Sequence, residues 1–190
     1  MKIIETTIPG VVILEPDVFG DERGYFFESY SQDKFDALVR PVRFVQDNES
    51  KSKFGVLRGL HFQQGRDAQS KLVRVVHGRV LDVAVDIRRG SPTFGQYVSV
   101  ELTGENKRQF FVPRGFAHGF SVLSPEAVFQ YKCDNPYAPQ SEGAIAWDDP
   151  ALGIDWHLAP GEVVLSPKDS RHPRLSEAGA LFDYNTDYYA

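Results

Sequence analysis

Alternation of apolar and polar side chains with a period of two constrains this chain most. Its clearest run is Arg79 to Ile87, RVLDVAVDI, in which Leu81, Val83, Val85 and Ile87 share one parity and Asp82, Ala84 and Asp86 the other. Successive side chains of a strand point to opposite faces, so this run predicts a strand with one face in a core and one toward water. Comparable runs occur at 11–14, 24–30, 42–47, 56–63, 71–77, 96–102, 109–112, 117–123 and 127–133. They are separated by turn signals such as His77-Gly78 and Arg89-Gly90-Ser91-Pro92. Many short strands at this spacing imply a mainly β sandwich or barrel with few short helices. One helix is predicted at 31–39, where Ser31 can cap, Asp33 lies in the first turn, and Phe35, Leu38 and Val39 form an apolar stripe. After Cys133 the chain is rich in Pro, Asp and Gly, which predicts loops packed over one end of the β core.

The 190 residues suffice for one sizeable core, so a single domain over 1–190 is expected. Fourteen Phe, eight Tyr and two Trp are more than a disordered chain carries. A net charge of -5 argues against wrapping nucleic acid, so an anionic ligand would have to be met by a local cluster of bases. No segment approaches the roughly 20 apolar residues of a membrane helix, and Glu5, Thr6, Thr7 and Pro9 interrupt any signal-like stretch. One cysteine, Cys133, makes no internal disulfide and reads as a small filler in a core strand. A cytoplasmic location follows as the expectation.

Functional polar groups should break the alternation by pointing inward from apolar strands. In Gly55 to Gln63, GVLRGLHFQ, His61 shares parity with Leu57 and Gly59, and Arg58 has the other. A regular strand would aim them apart, and a bulge or strong twist at Gly59 would let one ligand meet both. Taken alone, His61 suits a general base or a hydrogen-bonded rim residue. Lys71, at a strand start, would ordinarily snorkel to water. Tyr131 shares parity with Phe129 and Cys133, and a phenol facing inward needs a partner or a task.

Pro113 to His118, PRGFAH, has the P-x-G-x-x-H spacing of the second cupin motif, which favours a jelly-roll barrel. A metal-binding cupin also needs a H-x-H first motif, and the chain reads His-Phe-Gln at His61, so no metal is expected. Longer strings make the resemblance close: GDERGYFFESY (20–30), FVQDNESKSKFGVLRGLHFQ (44–63), QSKLVRVVHGRVLDVAVDIRRGSPTFGQY (69–97), FFVPRGFAHGF (110–120) and WDDPALGIDW (147–156). In this order they resemble the dTDP-4-dehydrorhamnose 3,5-epimerase family. The resemblance implies a cupin jelly roll, a homodimer, a dTDP-sugar substrate, and neither metal nor organic cofactor.

The same resemblance assigns roles. His61 matches the family's base, Asp169 in SPKDS the carboxylate that orients it, Tyr131 the proton donor on the opposite face, and Lys71 the group beside the C4 oxygen. Nucleotide and phosphate contacts fall on Arg23, Glu28, Gln46, Asn48, Arg58, His118, Glu142 and Lys168, and base stacking on Tyr137. An exchange of N-terminal strands would carry Arg23 and Glu28 to a neighbour's site. Two other functions remain compatible with these residues: a single-centre epimerase of a related sugar, and a silent cupin that binds nucleotide sugars. The Tyr-rich end, FDYNTDYYA, could cover the pocket, pack on a partner or fray.

Overall fold

The computed structural model describes residues 1–190 and bears out a mainly β fold with one α-helix. In chain order, β1 (Lys2–Glu5) and β2 (Val12–Glu15) precede a hairpin of β3 (Val18–Asp21) and β4 (Gly24–Phe27). Helix α1 (Gln32–Leu38) follows, then β5 (Gln46–Lys53), β6 (Leu57–Gln63), β7 (Lys71–His77), β8 (Arg79–Asp86) and the two-residue β9 (Arg88–Arg89). The rest are β10 (Tyr97–Thr103), β11 (Gln109–Val112), β12 (Phe116–Val122), β13 (Glu126–Cys133), β14 (Glu142–Ala144) and β15 (Phe182–Asp183).

Two sheets face each other in a jelly roll, one of six strands in the order β1-β2-β11-β7-β13-β5 and one of five in the order β10-β8-β12-β6-β14. All pairings within both are antiparallel. Between the sheets lies a core built from both, with Val73, Phe110 and Phe129 meeting Val80, Val100 and Phe120. Phe120 and Phe129 stack across it at 4.2 Å between ring centroids.

The outer faces are covered too, which corrects the half-buried reading of Arg79 to Ile87. Leu81, Val83, Val85 and Ile87 lie on the outer face of the five-stranded sheet, under Ile145, Leu152, Trp156, Leu175 and Phe182 from the C-terminal region. Asp82 and Ala84, read as the water-facing parity, turn into the barrel instead. Asp86 is buried as well, and its Oδ2 accepts hydrogen bonds from Ser91 (2.6 Å), Arg88 (2.7 Å) and Thr93 (2.7 Å). On the other sheet, Phe35 of α1 caps a smaller cluster with Leu14, Leu72 and Phe111.

Three predicted elements differ in the structure. Ser31 occupies the N-cap of α1 without a side-chain bond, and of its expected stripe only Phe35 is buried, while Leu38 is half exposed. The run predicted at 42–47 contributes Val42 and Phe44 to the α1 cluster, and the strand runs over Gln46–Lys53, QDNESKSK. That strand has no apolar residue because its inward side chains, Gln46, Asn48, Ser50 and Ser52, border a cavity or its polar surroundings. Its outward charges suit a sheet edge. The strand predicted at 24–30 ends at Phe27, in a hairpin paired only with itself and exposing Val18, Phe19, Tyr25 and Phe26.

Candidate active site

A cavity of about 720 Å³ opens between the sheets where β5, β6 and β13 meet the loop of Ser166 to Asp169. Strand pairing explains which side chains enter it. On β13, Tyr131 lies opposite Asn48 of β5 and Val73 of β7, and Cys133 lies opposite Gln46 and Lys71. The shared parity therefore places Lys71, Tyr131 and Cys133 together on the inner wall of the six-stranded sheet. Asn48 Nδ2 contacts Cys133 Sγ at 3.8 Å, and burial pushes the thiol up to about 11, so Cys133 is an inert wall residue.

The opposite wall solves the parity problem of Arg58 and His61. Strand β12 pairs His118 with His61 but Phe120 with Arg58, so Gly59 and Leu60 together face Gly119. This bulge brings Arg58 and His61 to one cavity. Gly59 has φ 140, and a Cβ there would lie 2.6 Å from Gly119 Cα. A Cβ on Gly119 would in turn approach Arg58 O to 2.7 Å, so both strands must be glycine at the crossing.

Asp169 reaches His61 because its loop is stitched to the start of the same strand. Leu57 N–H donates to Val164 O (3.0 Å) and Val164 N–H to Gly55 O (2.8 Å). His61 Nε2 then lies 2.7 Å from Asp169 Oδ1. Ser166 Oγ donates to Asp169 Oδ2 at 2.7 Å and accepts from Asp169 N–H at 3.0 Å. Burial alone would raise the Asp169 carboxyl, but the hydrogen bonds from His61 and Ser166 outweigh it and hold it at about 2. With Nε2 facing a carboxylate, the imidazole carries its proton there, and Nδ1 is the free nitrogen, 3.7 Å from Glu142 Oε1.

Lys71 keeps some surface open to the cavity, yet burial lowers its ammonium, an effect partly offset by the charges of Asp82 and Glu142. Asp82 is fully buried, with Oδ1 2.8 Å from His118 Nε2. Burial pushes its carboxyl up, and His118 and Lys71 pull it back. Tyr131 is raised by burial as well. At the rim, Glu142 accepts from Tyr137 Oη at 3.1 Å and from Lys168 Nζ. Burial would raise the Glu142 carboxyl, but these two bonds bring it below its ordinary value.

All the residues matched to the family line this cavity except Arg23 and Glu28. Those two sit at the exposed hairpin, where Arg23 grips Asp21 at 2.6 Å and Glu28 pairs with Lys34 at 2.7 Å. His118 lines the cavity with one nitrogen committed to Asp82, and Arg58 donates to Ser52 Oγ at 3.2 Å from Nη2. Two contributors were not singled out from the sequence, Ser166 and Asp82, nor was a neighbour outside the cavity lining, His172. Asp82 was visible only as a polar member of an alternating strand. His172 packs edge-on against His61, with ring centroids 5.1 Å apart, and donor atoms of His61, Asp169 and His172 lie within 4.8 Å of one another.

The Tyr-rich end packs on its own chain. Tyr189 Oη meets Ser70 Oγ at 2.6 Å and accepts from Arg114 N–H at 2.9 Å, while Arg40 covers its ring at 3.7 Å. Ser70 precedes Lys71, so the last turn of the chain braces the strand that carries the cavity's lysine.

Residues 5–177 match the family model described as dTDP-4-dehydrorhamnose 3,5-epimerase. A dTDP-4-dehydrorhamnose 3,5-epimerase of Salmonella typhimurium is 60% identical over 179 residues, 94% of this chain and 97% of the relative. The crystal structure of a dTDP-6-deoxy-D-glucose-3,5-epimerase of Legionella pneumophila, in complex with dTDP-4-keto-L-rhamnose, superposes with a TM-score of 0.94 at 53% identity, covering 97% of this chain and 99% of that one. A 3'-monoepimerase of Streptomyces bikiniensis in complex with dTDP-quinovose superposes at 0.83 with 33% identity, covering 90% and 86%.

Proposed function

Because the chain belongs to the dTDP-4-dehydrorhamnose 3,5-epimerase family, we propose that the cavity between its sheets inverts C3 and C5 of a dTDP-4-dehydro-6-deoxy-D-glucose with His61 as base. The enzyme is an isomerase, and its product is dTDP-4-dehydro-L-rhamnose, for L-rhamnose synthesis. The observation that carries the catalytic reading is the His61–Asp169 pair at 2.7 Å, facing Lys71 and Tyr131 across one cavity.

The protons on C3 and C5 are both α to the C4 ketone, so removing either gives an enolate with its charge on the C4 oxygen. His61 Nδ1 takes the proton, and Asp169 stabilises the imidazolium that forms. A protonated Lys71 meets the developing oxyanion and serves both centres, because both enolates share that oxygen. Tyr131 returns a proton from the opposite face, which inverts the carbon. His61 then gives up its proton to solvent, and the Tyr131 phenolate takes one back. The enolate is its own electron sink, so this route uses only groups of the chain.

The remaining lining residues suit a nucleoside diphosphate. Arg58 and Lys168 are the bases at the cavity that meet its phosphates, with His118 beside them. Gln46, Asn48 and Glu142 offer polar edges, and Tyr137, half exposed at the rim, stacks on the base. Arg23 and Glu28 act in the cavity of a second copy. The apolar hairpin that holds Arg23 is an unpartnered surface of the kind dimers bury, so the working unit is a homodimer. A nucleotide-activated substrate and a lone cysteine go with a cytoplasmic setting, and no helix is long and apolar enough to cross a membrane.

Double rather than single inversion is favoured by 60% identity to a 3,5-epimerase against 33% to a 3'-monoepimerase. The test is an NMR time course in D₂O with dTDP-4-dehydro-6-deoxyglucose. Deuterium entering at both C3 and C5, and at neither with His61→Ala, is the expected result. Exchange at one carbon alone would overturn the double reaction.

A further inference from the structure

We propose that His61, Asp169 and His172 form a binding site for a divalent transition metal of the zinc class, and that occupation of this site switches the epimerase off. The starting observation is a buried histidine without a partner. Both ring nitrogens of His172 lack a hydrogen-bond partner, and the ring stands beside the His61–Asp169 pair, whose Nε2–Oδ1 contact is already made. Buried polar groups are ordinarily satisfied, so an unpaired imidazole at that pair calls for a ligand. The His172 side chain is only 8% exposed and follows the single turn that carries Asp169.

The donor set and its spacing fit the ion. Two imidazole nitrogens and one carboxylate oxygen are the ligands zinc and its neighbours accept, with a fourth position left for water. Donors on a tetrahedral zinc at about 2.0–2.1 Å sit roughly 3.3 Å apart. Here Asp169 Oδ1 lies 2.7 Å from His61 Nε2 and 4.0 Å from His172 Nδ1. Changes of under about 1 Å bring these two separations to that spacing, and all three donors already lie within 4.8 Å of one another. Lys168, whose charge would oppose a cation here, has its ammonium tied to Glu142.

The consequence for catalysis follows from proton counting and rests on His61 being the base. An imidazole that coordinates through Nε2 as a neutral ligand keeps its single proton on Nδ1. Nδ1 is the nitrogen that must accept the substrate's proton, so the metal-bound ring has no lone pair left for it. Binding also replaces the Nε2–H bond to Asp169 with a metal–oxygen bond, and the ring's one proton moves by way of solvent from Nε2 to Nδ1 with no net release. The site is thus inhibitory, and a cation takes the place that a proton holds in the active enzyme.

The experiment strips the full-length protein with chelator, then titrates it with zinc chloride, reading heat by calorimetry and epimerisation by deuterium exchange. One zinc per chain is expected, with activity lost in step and restored by chelator. His172→Phe and the more conservative His172→Gln should keep metal-free activity within about threefold. Their zinc affinity should fall at least about 100-fold, more than the loss of an outer-shell partner causes. Cobalt gives a second readout, since the strong visible absorption of four-coordinate cobalt should appear in wild type and vanish in both variants. No stoichiometric binding, or equal zinc affinity in wild type and both variants, would overturn the site. An inactive metal-free wild type would instead strike at the epimerase reading, whatever the zinc result.

Discussion

Two histidine–carboxylate pairs stand on the same wall of the barrel, on neighbouring strands, and chemistry alone would not tell them apart. His61 lies 2.7 Å from Asp169, and His118 lies 2.8 Å from Asp82. Their surroundings differ. The His61 side chain is 27% exposed to the cavity, whereas His118 and Asp82 are 8% and 0% exposed. Asp169 comes from a loop and is held low by a serine as well as by its histidine. Asp82 comes from a central strand, where burial pushes its carboxyl up. A pair with one free, accessible nitrogen can collect a proton, while a pair that meets the cavity only at the edge of its histidine holds geometry and field beside the phosphates. Access thus separates the proposed base from its look-alike.

The sharpest way to break this comparison is to remove each histidine in turn. His61→Ala should cut deuterium exchange at C3 and C5 by about 10²–10⁴-fold, the range of a direct proton-transfer group, and leave the thermal midpoint close to wild type. His118→Ala should do the opposite, with a clear drop in midpoint and a smaller loss of exchange. Equal exchange losses would erase the distinction. Next in size, Asp82→Ala leaves a buried imidazole nitrogen unpaired and should cost about 1–3 kcal/mol of unfolding free energy by denaturant titration. Gly59→Ala should cost about 1–3 kcal/mol for its positive φ. Its close approach to Gly119 should also weaken nucleotide binding through Arg58. The smallest effect is a shift of pH profile. On the proposed route Lys71 must be protonated to hold the enolate, and its ammonium is lowered by burial, so kcat/KM should fall as pH rises through a value below the 10.5 of free lysine. Asp82→Asn removes a nearby negative charge and should move that alkaline limb lower still.

The same contrast explains what the sequence could disclose. Alternation located most strands, since Lys71–His77 and Gln109–Val112 follow the pattern residue for residue. It failed where the inner face is polar by design of the cavity. Gln46–Lys53 carries no apolar signal, and Asp82 read as a solvent-facing residue because periodicity reports parity and not which side is covered. The outer cover comes from residues beyond 144, too far along the chain for any local pattern to reveal. His61 and Tyr131 stood out as polar groups on inward parity, while Lys71 read as a strand-start lysine that snorkels to water and Asp169 as a turn residue until the family resemblance gave them roles. His172 carried no signal at all, for its importance lies in the loop geometry that returns it to His61.

The clasp of Tyr189 on Ser70 spans 119 residues. A ribosome releases Lys71 long before Tyr189, so the strand bearing Lys71 waits unbraced while the intervening segment is made. A product stalled before Tyr189 lacks the brace beside Lys71.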